Sequence, residues 1–202
     1  MSKFPTEVID LPSRGLVYPK EHPLSSGKVE IKYMTAKEED ILTSPNLIEK
    51  GIVLDKLLES IIVTEGVKLD DFVVGDKNTL LVSARILGYG KDYPIMIADE
   101  EVNVDLTNLK EIWIDENNLV EPHKNAFKFT TPTSKNQIVF SILDGHMEKQ
   151  LDDLNKAYEK AGQSRELTNR YKLIIKSVDG KTERGEIDDF VDNQFMALDS
   201  MA

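Results

Sequence analysis

Three prolines, Pro5, Pro12 and Pro19, punctuate the opening of this 202-residue chain. Each fixes φ, removes a backbone donor and biases the residue before it toward extended backbone. Residues 4–19 are therefore barred from forming one continuous helix. Phe4, Val8, Leu11, Leu16 and Tyr18 supply apolar anchors along the stretch, and Arg14-Gly15 offers a turn in which the glycine can take positive φ. An arm of this kind cannot bury its own side chains. It lies either on the body of its domain or on another protein, and on the second reading Phe4, Leu11, Arg14, Leu16 and Tyr18 are the contact residues.

Beyond the arm, apolar periodicity predicts an alternation of short elements. Val29, Ile31 and Tyr33 alternate with Glu30 and Lys32, the period-two signature of a half-buried strand. Thr35 and Glu38 have capping-box spacing and open a short helix stopped at Ser44-Pro45. A second helix is predicted from Asn46 to about Val63. There Leu54, Leu57, Leu58, Ile61 and Ile62 form one stripe, whose burial at about 1.5–3 kcal/mol each outweighs the cost of Gly51, about 1 kcal/mol. Asp76 is placed as the cap of a third helix ending at Gly88.

Over residues 92–142 the pattern changes. Paired apolar positions (Ile95 and Ile97, Val102 and Val104, Ile112 and Ile114, Phe127 and Phe129, Ile138 and Phe140) are separated by polar turns, which predicts one small antiparallel β unit. Helix then returns. Asp144 caps a helix presenting Met147, Leu151, Leu154 and Tyr158. Another carries Leu167, Tyr171, Ile174, Ile175 and Val178, and a last one runs from about Glu186 through Phe190, Phe195 and Leu198. The fold class is α+β: a helical domain with an N-terminal extended arm and strand and an inserted antiparallel β unit. Its parts are residues 1–34, 35–91, 92–142 and 143–202.

Composition narrows the function classes. A net charge of −11 disfavours a phosphate-backbone binder and favours basic protein partners. No cysteine is present, so disulfides, thiolate nucleophiles and Cys-ligated zinc are excluded together. No basic-plus-apolar leader and no bilayer-length apolar run is visible, which predicts a soluble chain that binds neither nucleic acid nor membrane. His22, His123 and His146 are scattered, and Gly88-Tyr89-Gly90 lacks the context of a phosphate or dinucleotide loop. Asp99, Glu100 and Glu101 read as a solvated turn, with a hard cation as the alternative. Neither catalytic residues nor a cofactor or metal are expected. Arg85 is read as a paired structural charge or as a contact to an acidic partner. Phe190, Phe195 and Leu198 form the apolar side of a terminal helix whose remaining surface is acidic, and this helix either covers its own core or docks into a partner's groove.

Leu11-Pro12-Ser13-Arg14-Gly15-Leu16-Val17-Tyr18-Pro19 resembles the opening signature of the baseplate hub assembly proteins of T-even-type contractile-tailed bacteriophages. Further blocks resemble the same family in order. They are residues 33–42, Gly75-Asp76-Lys77 with residues 84–90, Ile175-Lys176-Ser177-Val178-Asp179-Gly180, and Ile187-Asp188-Asp189-Phe190-Val191. In the middle region, where some relatives carry paired cysteines, this chain has Ile95-Met96-Ile97-Ala98. Its β unit is expected to hold by apolar burial of Trp113, Phe127, Phe129 and Phe140. The resemblance implies a non-enzymatic, chaperone-like assembly factor for the tail baseplate hub. Its partners would be other hub or tail proteins, in the host cytoplasm or the virion baseplate. A structural subunit retained in the baseplate is the alternative, and a carboxylate-based metal-dependent enzyme ranks third.

Overall fold

In the computed structural model, which describes residues 4–110 and 112–200 (the side chain of Leu198 excepted), the N-terminal arm folds back on itself. Strand β1 (Thr6–Asp10) pairs antiparallel with β2 (Lys28–Lys32) in a register running from Thr6 opposite Lys32 to Asp10 opposite Lys28. The intervening residues coil into successive turns, with Leu11 N–H donating to Gly27 O at 2.8 Å and Arg14 N–H to Leu11 O at 2.8 Å. Gly15 makes this coil possible. It sits at φ 77°, and a Cβ there would lie 2.2 Å from the Ser25 carbonyl oxygen. The α+β class holds, with small antiparallel sheets set among helices.

The chain divides into two compact units, Met1–Ile114 and Asp115–Ala202. In the first unit, α1 (Ala36–Leu42) opens on the predicted Thr35–Glu38 capping box. The long helix expected from Asn46 is instead two: α2 (Pro45–Glu49) and α3 (Val53–Ile61). Pro45 starts α2 at a position where its missing donor costs nothing, and Gly51 at φ 68° breaks the helical path. Leu57, Leu58 and Ile61 are buried as predicted, whereas Leu54 is left exposed. Helix α4 (Val74–Tyr89) begins two residues before Asp76, whose side chain caps nothing and turns inward. Gly88 lies within this helix rather than after it, facing the methyl group of Met34, which a Cβ would approach to 1.8 Å.

Residues 92–142 do not form one β unit. β3 (Asp92–Ile97) and β4 (Glu100–Asp105) make a separate two-stranded hairpin in the first unit. β5 (Phe127–Thr130) and β6 (Gln137–Phe140) belong to the second unit, where β6 also pairs with β7 (Ile175–Val178). Ile112 and Ile114 form no strand, and Ile112 is 89% exposed. Alternation marks which face of a strand is apolar but not which strand will pair with it. The same ambiguity hid β7. Ile175 and Val178 fit the helical stripe of α6 (Glu166–Ile174), but the helix ends at Ile174 and the β-branched residues pass into the sheet.

The second unit also contains α5 (Gly145–Lys160), α7 (Arg184–Asn193) and α8 (Ala197–Ser200). Asp144 caps α5 as predicted, accepting from Met147 N–H at 2.8 Å. The core joins Ile138, Ile175, Val178, Ile187, Phe190 and Val191. Phe195 packs on it, edge-on to Tyr171 at 5.1 Å between ring centres. Phe127 is buried and stacks on Phe140 at 5.6 Å, while Trp113, expected as core bulk, is 47% exposed.

Candidate partner-docking surface

The arm's signature residues build an internal lock. Ser13 donates twice to the Asp76 carboxylate, from Oγ to Oδ2 at 2.6 Å and from its N–H to Oδ1 at 2.9 Å. The Tyr18 hydroxyl donates to Oδ2 at 2.6 Å and accepts from Val73 N–H at 3.2 Å. Asp76 is 1% exposed and Ser13 equally buried, so this carboxylate is solvated by protein donors in place of water. Burial pushes the Asp76 carboxyl up, more than the Ser13 and Tyr18 bonds pull it down. Burial, reinforced by the charge of Asp76, pushes the Tyr18 phenol upward as well. His22 completes the corner, stacking on Tyr18 at 5.8 Å and accepting from Leu24 N–H at 3.2 Å. Ser13, Gly15 and Tyr18 thus have structural roles in one turn-and-anchor motif.

These contacts correct the assignment of the arm as a docking element. Leu11 and Tyr18 are core residues at 0% and 4% exposure, and Leu16 is half-buried. Phe4 is half exposed with the Lys32 ammonium 5.4 Å from its ring centre, and exposed Arg14 donates to Ile114 O at 2.9 Å. At the other end of the chain Phe190, 3% exposed, belongs to the second unit's core, and half-buried Phe195 packs against it. The side chain of Leu198 lies outside the described residues. The terminal helix expected from Glu186 through Leu198 is instead two, α7 and α8, and acidic residues expected on it are already engaged within the unit. Asp192 pairs with Lys172 at 2.6 Å, Asp188 with Arg184 at 3.1 Å and Glu186 with Lys181 at 3.1 Å. Asp199 is buried and accepts from the N–H groups of Thr133 and Ser134 at 2.7 and 3.2 Å.

A second buried carboxylate stabilises the first unit. Glu38 is fully buried and accepts from Lys32 Nζ at 2.7 Å, Ser60 Oγ at 2.5 Å and both the N–H and Oγ of Thr35. Burial alone would raise its pKa. The Lys32 ammonium and the Ser60 and Thr35 donors together outweigh that and bring it down to about 2.

The exposed apolar surface lies elsewhere in the first unit. A cleft of about 360 Å³ is lined by Met34, Leu42, Leu54, Leu81, Tyr89 and Tyr93, among others. Arg85 stands at its edge with its guanidinium over the rings of Tyr89 and Tyr93, at 5.0 and 5.5 Å. Its N–H groups donate to the carbonyls of Gly90 at 3.0 Å and Asp92 at 3.2 Å. This settles Arg85 as a structural charge tying the end of α4 to the start of β3. The β3–β4 hairpin continues the apolar surface with exposed Tyr93, Ile97 and Val102, while exposed Met96 lies on its other face. Strand periodicity marks β3 and β4 and the polar turn between them, but nothing in the sequence signals that they stand as a separate hairpin or that its apolar side stays uncovered.

Among the described residues, no group of three or more His, Cys, Asp or Glu side chains could hold a metal ion, and no helix is long and apolar enough to cross a membrane. Asp99, Glu100 and Glu101 are exposed at the tip of the hairpin, where Ala98 and Asp99 both take positive φ in the two-residue turn. Compared with protein-family models, with curated proteins and with solved structures, the chain gives no significant match in any of the three.

Proposed function

We propose that this chain is a non-enzymatic, chaperone-like assembly factor for the tail baseplate hub of a T-even-type bacteriophage. It works in the host cytoplasm through contacts with other hub or tail proteins. The resemblance of the Leu11–Pro19 segment and the later blocks supplies the biological setting. Those blocks fall into mutually bonded positions. Ser13 and Tyr18 meet Asp76, and Met34 meets Gly88, while Ile175, Val178, Ile187, Phe190 and Val191 share one core. The quoted residues are thus mainly scaffold, which supports a shared fold more than a shared contact surface.

The observation that carries the reading is the uncovered apolar surface of the first unit, the cleft beside Tyr89 and Tyr93 together with the hairpin beyond it. Contiguous apolar patches on an otherwise charged surface mark protein contacts, because exposing them to water is unfavourable by about 25 cal/mol per Å². A factor with such a surface can cover an aggregation-prone face of a hub component until the next subunit replaces it.

Co-expression with candidate baseplate hub proteins followed by affinity purification tests this. Capture of a hub component is expected, with the factor absent or substoichiometric in purified particles. A fixed stoichiometry in the particle would instead make the chain a retained structural subunit. Failure to capture any tail component would remove the proposal.

A further inference from the structure

We propose that the β3–β4 hairpin is a docking ribbon for a cationic, apolar segment of a partner protein. This deepens the reading of the chain as a protein-contact factor and rests on it. The register places Tyr93 opposite Val104, Ile95 opposite Val102 and Ile97 opposite Glu100. Opposed residues in an antiparallel pair share a face, so Tyr93, Ile95, Ile97, Val102 and Val104 line one side of the ribbon, with Glu100 on the same side at the tip. Such a face is normally closed by the core of its own domain. Here the face is only partly closed: Ile95 and Val104 are half-buried, whereas Tyr93 is 44%, Ile97 54% and Val102 39% exposed. Among the described residues the sheet has two strands, each with an edge that pairs with no other strand.

Charge selects the occupant. The hairpin carries Asp92, Asp99, Glu100, Glu101 and Asp105 and no Lys or Arg between them. Lys91 pairs with Asp105 at the base, but no ion pair involves Asp99, Glu100 or Glu101 at the tip among the described residues. Two copies laid face to face would bring these carboxylates together, which is unfavourable in a partly desolvated contact. A segment whose apolar side chains alternate with Lys or Arg satisfies both the open face and the unpaired tip. Two-stranded ribbons are marginal by themselves, so such a segment would also order the hairpin it binds.

The test uses the full chain and a labelled peptide of alternating leucine and lysine, followed by fluorescence anisotropy, with a leucine–glutamate peptide as the control. The leucine–lysine peptide should bind and the control should not. The double variant Ile97→Asp, Val102→Asp should weaken binding about tenfold or more while its circular dichroism and melting stay unchanged. The triple variant Asp99→Asn, Glu100→Gln, Glu101→Gln should weaken binding several-fold and flatten its dependence on salt. Equal binding of both peptides, or binding indifferent to the double variant, overturns the proposal. So does self-association of the wild type that the double variant abolishes, because the occupant is then a second copy. Unchanged capture of a hub protein by the double variant would sink the ribbon and leave the assembly role standing. Peptide binding at the ribbon without capture of any hub protein would do the reverse.

Discussion

The coil between β1 and β2 and the β3–β4 hairpin lie in the same compact unit and look alike on paper. Both are short extended stretches with several apolar residues and polar turns, yet the coil is core and the hairpin is bare. The difference is the polar anchor. The coil delivers three donors, Ser13 N–H, Ser13 Oγ and Tyr18 OH, to one buried acceptor on α4, and this fixes Leu11, Val17 and Tyr18 inside. Among the described residues the hairpin is tied to the body by a hydrogen bond only at its base, from Arg85 to Asp92 O. Apolar content alone therefore does not decide burial. A segment with a satisfied polar tie to the body is drawn in, and one without such a tie along its length stays at the surface.

The largest expected effect is at the anchor itself. Asp76→Ala leaves three buried donors without their acceptor, and at about 1–3 kcal/mol per orphaned group it should remove roughly 3 kcal/mol or more of stability, read from the denaturant midpoint. If Asp76→Ala melts like the wild type, the contrast between anchored and unanchored segments is wrong. Gly15→Ala comes next. Positive φ and the 2.2 Å approach to Ser25 O together should cost about 2–4 kcal/mol, seen as a lower thermal midpoint.

Glu38 sharpens the comparison through pH. Its folded pKa of about 2 lies below the ordinary value of 4.5, so the folded state holds the proton less tightly than the unfolded one. The stability it contributes is fully present above pH 4.5 and is lost as pH falls toward 2. In Glu38→Gln that part of the acid loss should vanish, which denaturation series at several pH values would show as a shallower slope. An unchanged slope would mean that the Lys32–Glu38 pair is not what acid breaks.

Smaller effects belong to the hairpin. Replacing Ala98-Asp99 by Asn-Gly relieves two positive φ angles and should stabilise by about 0.5–1 kcal/mol, detectable as slower amide exchange in β3 and β4. Met96→Ala, at an exposed position, should change the midpoint by no more than about 0.5 kcal/mol. A large loss there would show that the hairpin is covered after all.

Much of the local structure was legible from residue spacing. The Thr35–Glu38 box, the Asp144 cap, the apolar stripe of Leu57, Leu58 and Ile61, and the strand pairs around Ile95, Val102, Phe127 and Ile138 all depend on neighbours within a turn or a two-residue period. The errors arose where distant partners intervened. Asp76 has the composition of a cap, but Ser13 and Tyr18 claim it. Ile175 and Val178 continue a helical stripe, but β6 offers them a ladder. Of the eight residues first placed on a docking surface, Leu11, Tyr18 and Phe190 proved to be core, because an apolar anchor reads the same whichever body it binds.

The sequence by itself determined that this is an acidic, cysteine-free α+β chain with a non-helical start, since charge, composition and proline geometry act locally and need no partner. Tertiary structure alone decided the division at Ile114, the burial of the arm against Asp76 and the exposure of the hairpin face. Each of these depends on which distant groups satisfy a buried donor or cover an apolar face. Local periodicity does not encode that pairing.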